Sequence, residues 1–139
     1  MRGFQLDPGT VKVDWALSGP IPWKNPEVVG AGTVHLGGSL EQISRFAHEL
    51  ALGYLAPEPF LLFGQMTTAD PSRSPAGTES AWAYTHVPAR PKGDAAGELS
   101  GGWTDPKLQA AILTGINRVV AAYPVQVNAI LSALTARGF

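Results

Sequence analysis

Two segments of the chain alternate between apolar and polar, or large and small, residues with the period of a β-strand. In residues 10–18 (TVKVDWALS) nearly every second side chain is apolar, which predicts a strand with one buried face. Residues 81–87 (AWAYTHV) place Trp82, Tyr84 and His86 on one side and smaller residues on the other. The small side suits close packing of a helix, and the bulky side suits a cavity wall or a second layer.

Two shorter apolar segments predict two more strands. Thr33–Leu36 is followed at once by two glycines and is expected to be a short strand. Residues 60–66 (FLLFGQM) form a continuous apolar run next to prolines, which indicates a strand that is buried on both faces and central in its sheet. The stretch 19–32 is predicted to be loop, because each of its prolines fixes φ and removes a backbone donor.

A first helix is predicted from the capping residue Ser39 to about Gly53. Ser39 and Gln42 have the spacing of a capping box, in which each side chain binds a free backbone N–H of the other residue. Apolar residues then recur at intervals of three and four, as on one face of a helix. This stripe consists of Leu40, Ile43, Phe46 or Ala47, Leu50 and Tyr54.

The C-terminal third of the chain predicts two further helices. Asp105 precedes a proline, a combination typical of a helix start, and an apolar stripe with helical spacing runs through residues 108–120. Pro124 interrupts this pattern, and residues 127–134 predict a last helix. Residues 88–104 form a glycine-rich connection, and a loop of that length is expected to be functional or mobile.

These elements predict a single α+β domain over residues 1–139. We expect a small, mainly antiparallel or mixed sheet of about four strands, covered by about three helices on at least one face. A sheet face that the helices leave uncovered is then a binding site or an association surface.

Composition excludes several classes of function. The chain has 139 residues, of which only 15% are charged, and its net charge of −1 argues against non-specific nucleic-acid binding. No apolar run reaches the length of a membrane span, and the first ten residues lack the apolar core of a secretory signal, so a cytoplasmic location is expected. The absence of cysteine excludes disulfides and thiolate metal sites.

Three short motifs suggest catalysis, cofactor binding or metal binding, but the residues around them do not match what each kind of site requires. The glycines of residues 30–32 lack the third glycine of a dinucleotide fingerprint, since His35 stands in its place, and a strand follows where a helix is needed. Ser39 is better explained as a helix cap than as a nucleophile. The histidines His35, His48 and His86 have no metal-ligand spacing. We therefore assign no catalytic residue and no metal ligand.

Five stretches of the sequence together resemble one family. They are VDWALSGPIPW (13–23), AGTVHLGGSLEQI (31–43), PFLLFGQ (59–65), DPSRSPAG (70–77) and AWAYTHVP (81–88). In this order they resemble phytoene-dehydrogenase-like flavoproteins, the bacterial FAD-dependent oxidoreductases related to carotenoid desaturases. The resemblance is dense from about residue 4 to residue 90 and weaker after it. Beyond residue 122 the chain reads Tyr-Pro-Val where the family commonly has Pro-Gly-Phe.

This resemblance implies the substrate-binding domain of an FAD-dependent oxidoreductase, in an excised, truncated or degenerate form. Family members bind FAD between an N-terminal Rossmann segment and a C-terminal glycine-rich segment, and this chain resembles the middle, substrate-side part. FAD is thus implied for the full-length family and no cofactor for this chain alone. The implied substrates are apolar molecules such as polyisoprenoids, and the domain is expected to be inactive by itself.

The side chains expected to line a substrate pocket are Trp15, His35, Trp82, Tyr84 and His86. Two alternatives to the enzyme fragment remain open. One is a standalone module that binds a hydrophobic small molecule. The other is an interaction subunit that forms a homo-oligomer or pairs with a flavin-binding chain.

Overall fold

The computed structural model describes residues 7–23 and 25–122. Its six strands are β1 (Gly9–Leu17), β2 (Thr33–Leu36), β3 (Tyr54–Leu55), β4 (Leu61–Gln65), β5 (Glu79–Val87) and β6 (Gly93–Asp94). Its helices are α1 (Leu40–Leu52), α2 (Met66–Ala69) and α3 (Pro106–Ala122). The fold is α+β, as the sequence predicts. The expected helix over residues 127–134 lies outside the described residues.

The main sheet is four-stranded and antiparallel, with the spatial order β1-β5-β4-β2. Strands β1 and β5 pair without a bulge over nine residues each, from Gly9 opposite Val87 to Leu17 opposite Glu79. Strands β3 and β6 form a separate parallel pair. The antiparallel order places β4 and β5 inside the sheet, so the prediction that residues 60–66 form an internal strand is confirmed.

One face of the sheet packs in the hydrophobic core together with α3. Its buried side chains are Trp15, Leu17, Leu36, Leu61, Phe63, Ala81, Ala83 and Val87. The residues of α3 in the same core are Leu108, Ile112, Ile116, Val119 and Val120. Ala81 and Ala83 are almost fully buried, which confirms that the small side of β5 packs in the core. Burial of this apolar surface supplies most of the stabilisation of the fold.

The expectation that β4 is covered on both faces is wrong. Leu61 and Phe63 are fully buried on the core side, but Leu62 on the other side is only half-buried. Gly64 also lies on the outer side, where the ring of Trp82 from the neighbouring strand covers it. The outer side of β4 therefore needs no second layer, although its sequence is continuously apolar. Strand β4 also ends at Gln65, since Met66 begins α2.

A buried glutamine ties the proline-rich loop to the sheet. Gln65 is 1% exposed, and its Nε2 donates to the carbonyl oxygens of Val28 (3.2 Å) and Ala31 (2.7 Å). Its Oε1 accepts a hydrogen bond of 2.7 Å from Nε1 of Trp23, whose ring packs edge-on against Phe63. A buried amide is tolerated because its donors and acceptor are paired.

A buried carboxylate at the start of β5 caps the short helix α2, which follows β4. Glu79 is 3% exposed and accepts hydrogen bonds from the backbone N–H of Thr67 (2.7 Å) and Thr68 (3.1 Å). The hydroxyl of Thr68 donates to the same carboxylate at 2.8 Å. Gln65, the residue before α2, makes no capping bond with its own side chain, so the cap comes from the start of β5.

Helix α1 begins and ends where the sequence predicts. Ser39 and Gln42 form the capping box, and Gly53 ends the helix with a φ of 90°, which favours glycine. Its apolar stripe is buried less than its periodicity suggests, because no residue of α1 is fully buried and Leu40 is 81% exposed. Helix α1 therefore lies at the margin of the core.

The glycine-rich connection 88–104 contains β6 and makes several contacts with the rest of the chain. Pro91 and Gly93 are buried, and Nε1 of Trp103 donates to the carbonyl oxygen of Pro88 at 3.1 Å. At its end, Asp105 Oδ1 accepts from the backbone N–H of Lys107 at 2.8 Å, which confirms the predicted helix start. No helix in the described part of the chain is long and apolar enough to span a bilayer.

We expect Ser39→Ala to lower the free energy of unfolding by about 1 kcal/mol, because it leaves the N–H of Gln42 without its capping acceptor. Urea unfolding followed by far-UV circular dichroism measures this loss. Ser44→Ala, at an exposed position within α1, is the matched control and is expected to be neutral or slightly stabilising. An equal loss in both variants would contradict a capping role for Ser39.

Candidate functional site

The sheet face opposite the core carries a row of aromatic side chains that are half-buried or exposed. We call it the open face, and its side chains include Lys12, Asp14, His35, Leu62, Trp82, Tyr84 and His86. The rings of Trp82 and Tyr84 stack with centroids 5.7 Å apart at 17°. The ring of His86 meets Tyr84 edge-on at 5.9 Å. Trp82 and Tyr84 are half-buried and His86 is exposed, so the row forms a flat surface that solvent can reach.

A glycine holds Trp82 flat against the sheet. Gly64 of β4 lies directly opposite Trp82 of β5, and a Cβ at this position would collide with the indole ring. The indole Nε1 donates toward the sulfur of Met66 at the start of α2. The missing side chain of Gly64 therefore gives the indole its position, and that position allows the stacking on Tyr84.

An ion pair borders the aromatic row on the edge strand. Lys12 and Asp14 of β1 lie opposite Tyr84 and Trp82 respectively, and their side chains form an exposed ion pair. The ammonium of Lys12 is 5.9 Å from the centre of the Trp82 ring, within the range of a cation–π contact. The open face thus combines apolar rings with a charged border.

Among the five predicted lining residues, the structure places four on the open face and one in the core. Trp15 pairs with Ala81 and shares its face, where it is 4% exposed and stacks on Phe63 at 5.7 Å. His35 is exposed on the open face, but β4 separates it from β5, and its ring contacts Phe60 at 5.5 Å. Only Trp82, Tyr84 and His86 form one continuous cluster.

The structure also contains a cavity that the sequence did not indicate. Its volume is about 310 Å³, and it lies between α1, α3 and the segment before β4. Its lining includes Ile43, Phe46, Pro59, Phe60, Glu58 and Arg118. Two apolar side chains of α1 that are not fully buried, Ile43 and Phe46, line this cavity. Its walls come from segments far apart in the sequence, so no local motif could reveal it.

Charged groups surround the mouth of this cavity without forming a catalytic arrangement. Nε2 of Gln42 donates to a carboxylate oxygen of Glu58 at 3.3 Å. In an adjoining cavity of about 180 Å³, partial burial raises the pKa of Glu49, while Arg45 and His48 oppose this shift. Acidic and basic groups alternate here, so the charge gives no preference for an anionic or a cationic ligand.

Residues 30–32 do not fit a dinucleotide, and the described residues contain no metal cluster. Residues 30–32 lead into the antiparallel edge strand β2 rather than into a helix, so they offer no helix N-terminus to a pyrophosphate. The carbonyl oxygens of Ala31 and Gly32 already accept hydrogen bonds from Gln65. Within residues 7–23 and 25–122, no group of three acidic or histidine side chains could hold a metal ion.

We expect Gly64→Ala to displace the Trp82 ring and to cost about 2 kcal/mol of stability, because the added methyl group overpacks this contact. Near-UV circular dichroism reports the loss of stacking between Trp82 and Tyr84, and urea unfolding gives the energy. Gly30→Ala is the control, since no atom lies within 4 Å of its added Cβ. If the near-UV spectrum of Gly64→Ala matches that of the wild type, the proposed role of Gly64 is wrong.

A scan against protein-family models finds no match to this chain. A search of curated proteins finds no relative of it either.

Proposed function

We propose that this chain is the substrate-binding domain, or a fragment, of an FAD-dependent oxidoreductase that acts on an apolar, polyisoprenoid-like substrate. The observation that carries the proposal is the open face, on which the stacked rings of Trp82 and Tyr84 lie over one side of the sheet. Large, flat aromatic surfaces favour apolar ligands, because they bury much area and lose little conformational freedom.

The role of the chain in this proposal is to bind and orient the substrate. Helix α3 and the core pack against the opposite face of the sheet. The aromatic row therefore lies on a rigid sheet rather than on a loop. Hydride acceptance would be the contribution of the flavin. Since residues 30–32 lead into a strand and offer no helix N-terminus to a pyrophosphate, we assign flavin binding to polypeptide other than this segment. The domain is therefore proposed to be inactive alone.

A standalone module for a hydrophobic small molecule is the second candidate. The cavity of about 310 Å³ favours it, because all the residues that line this pocket belong to this chain, so its walls need no second polypeptide. Its walls carry Phe46 and Phe60 but also Glu58 and Arg118, so its ligand would need polar as well as apolar groups. An interaction subunit that pairs with a flavin-binding chain would use the open face itself as the contact surface.

All-trans-retinol serves as a polyisoprenoid-like probe of the open face. We expect it to quench the tryptophan fluorescence saturably, because bound retinol would lie beside Trp82. Tyr84→Ala is expected to weaken binding about tenfold through the loss of one aromatic wall. Tyr54→Ala, which removes a half-buried tyrosine from β3, is the matched control and should bind like the wild type. Far-UV circular dichroism establishes that each variant is folded.

Two results would contradict the proposed use of the open face. One is the absence of saturable quenching in the wild type. The other is equal affinity in Tyr84→Ala and the wild type, which would place the probe elsewhere, for example in the cavity beside α1.

Flavin content and co-purified ligands separate the candidates. The substrate-domain proposal expects purified protein without flavin absorbance and without uptake of added FAD after ultrafiltration. Protein that carries stoichiometric FAD would contradict it. Native mass spectrometry of freshly purified protein tests the standalone module, for which we expect a bound hydrophobic molecule. For the substrate-binding domain without its flavin-binding counterpart, we expect protein free of ligand.

A further inference from the structure

Strand β1 is a long sheet edge that has the features of a pairing surface. Among the described residues it pairs with β5 alone, over nine residues. It contains no proline and no bulge, two of the devices that proteins use to block strand addition. Along its outer side every second backbone N–H and C=O points away from β5. A second antiparallel strand could therefore continue the sheet here.

Apolar surface beside this edge is only partly covered. Val11 and Val13 belong to the core-side face of β1, but they are half-buried, whereas Trp15 and Leu17 further along the same face are buried. A strand added next to β1 would bury the two valines further. The hydrophobic effect would then add to the backbone hydrogen bonds of the new ladder.

The charges of β1 are self-complementary around its middle residue. Val13 is the midpoint of Gly9–Leu17, and Lys12 and Asp14 flank it on the open face. When two copies of β1 pair antiparallel with full overlap, Val13 lies opposite Val13 of the second copy. Lys12 then lies opposite Asp14 of the second copy, and Asp14 lies opposite its Lys12. Opposite charges in such cross-strand pairs are favourable.

A slip of one or two residues from this register brings like charges together or turns the second sheet over. A slip of two residues in one direction places Lys12 opposite Lys12, and the same slip in the other direction places Asp14 opposite Asp14. A slip of one residue turns the second copy over, so that its core side continues the open face of the first. The charges of Lys12 and Asp14 thus favour the full overlap over its neighbouring registers, and full overlap also forms the longest ladder.

We propose that β1 pairs antiparallel with β1 of a second copy of this chain, centred on Val13, and joins the two four-stranded sheets into one. The two-fold axis runs perpendicular to the sheet, so both open faces lie on the same side and their aromatic rows flank the paired charges. The net charge of −1 leaves little repulsion between the copies. This inference does not depend on the proposed function.

Charge reversal tests the pairing through mass measured by light scattering and sedimentation over a concentration series. The wild type is expected to reach twice its chain mass of 14.6 kDa. Lys12→Asp and Asp14→Lys are each expected to weaken association roughly tenfold or more, because each places like charges opposite one another. An equimolar mixture of the two variants restores opposite charges across the axis and should form a heterodimer. Lys107→Asp, an exposed charge reversal on α3, is the control.

Two outcomes of these measurements would overturn the proposal. A wild type that stays monomeric at millimolar concentration has no such interface. A dimer that is insensitive to both single reversals, or that the mixture fails to restore, uses another surface such as the apolar stripe of α1.

A disulfide test reads the register directly, because the chain contains no cysteine of its own. Val13→Cys places two cysteines opposite one another at a Cα separation of about 5 Å, within the range of a disulfide. Thr10→Cys is the control, since its two copies would lie about 20 Å apart along the ladder. Mild oxidation should cross-link Val13→Cys rapidly and leave Thr10→Cys monomeric on a non-reducing gel. Equal cross-linking of the two variants would overturn the register.

Discussion

The alternation of side chains along β5 is the constraint on which the rest of the structure depends. A strand sends successive side chains to opposite faces, so Ala81 and Ala83 meet the core while Trp82 and Tyr84 meet the other side. The small residues leave room for the large core side chains of β1, β4 and α3. The large residues have no such layer over them among the described residues. One nine-residue strand thus separates the stabilising face of the molecule from its candidate binding face.

Buried polar groups attach the loops to this sheet. Gln65 holds the proline-rich loop through two carbonyl oxygens and the indole of Trp23. Glu79 performs the same task for α2 through the backbone of Thr67 and Thr68. Every buried side-chain nitrogen and oxygen of the described residues has a hydrogen-bond partner, so these groups stabilise the connections without an unpaired cost. Gln65 lies at the end of β4 and Glu79 at the start of β5. Their hydrogen bonds therefore help to hold the two strands that carry Leu62, Trp82 and Tyr84.

The candidate functions all use surfaces rather than a reactive centre. The open face offers stacked rings to an apolar ligand, the cavity beside α1 offers a partly open pocket, and the outer edge of β1 offers a template for another strand. Pairing at β1 would place two open faces side by side and so enlarge the surface available to a long, flexible substrate. The binding proposal and the pairing proposal are independent of one another. If both hold, the paired open faces form one larger binding surface.

The sequence alone determined the local elements, because capping, alternation and helical spacing are properties of neighbouring residues. It predicted β2 with its observed bounds, the capped ends of α1 and the two unlike sides of β5. Only the tertiary structure decided which strand lies beside which. The pairing of Trp15 with Ala81 places that tryptophan in the core. The ring of Trp82 lies over Gly64 and covers this part of β4 without a second layer. These outcomes depend on contacts between residues far apart in the chain, and no local pattern encodes the register that creates them.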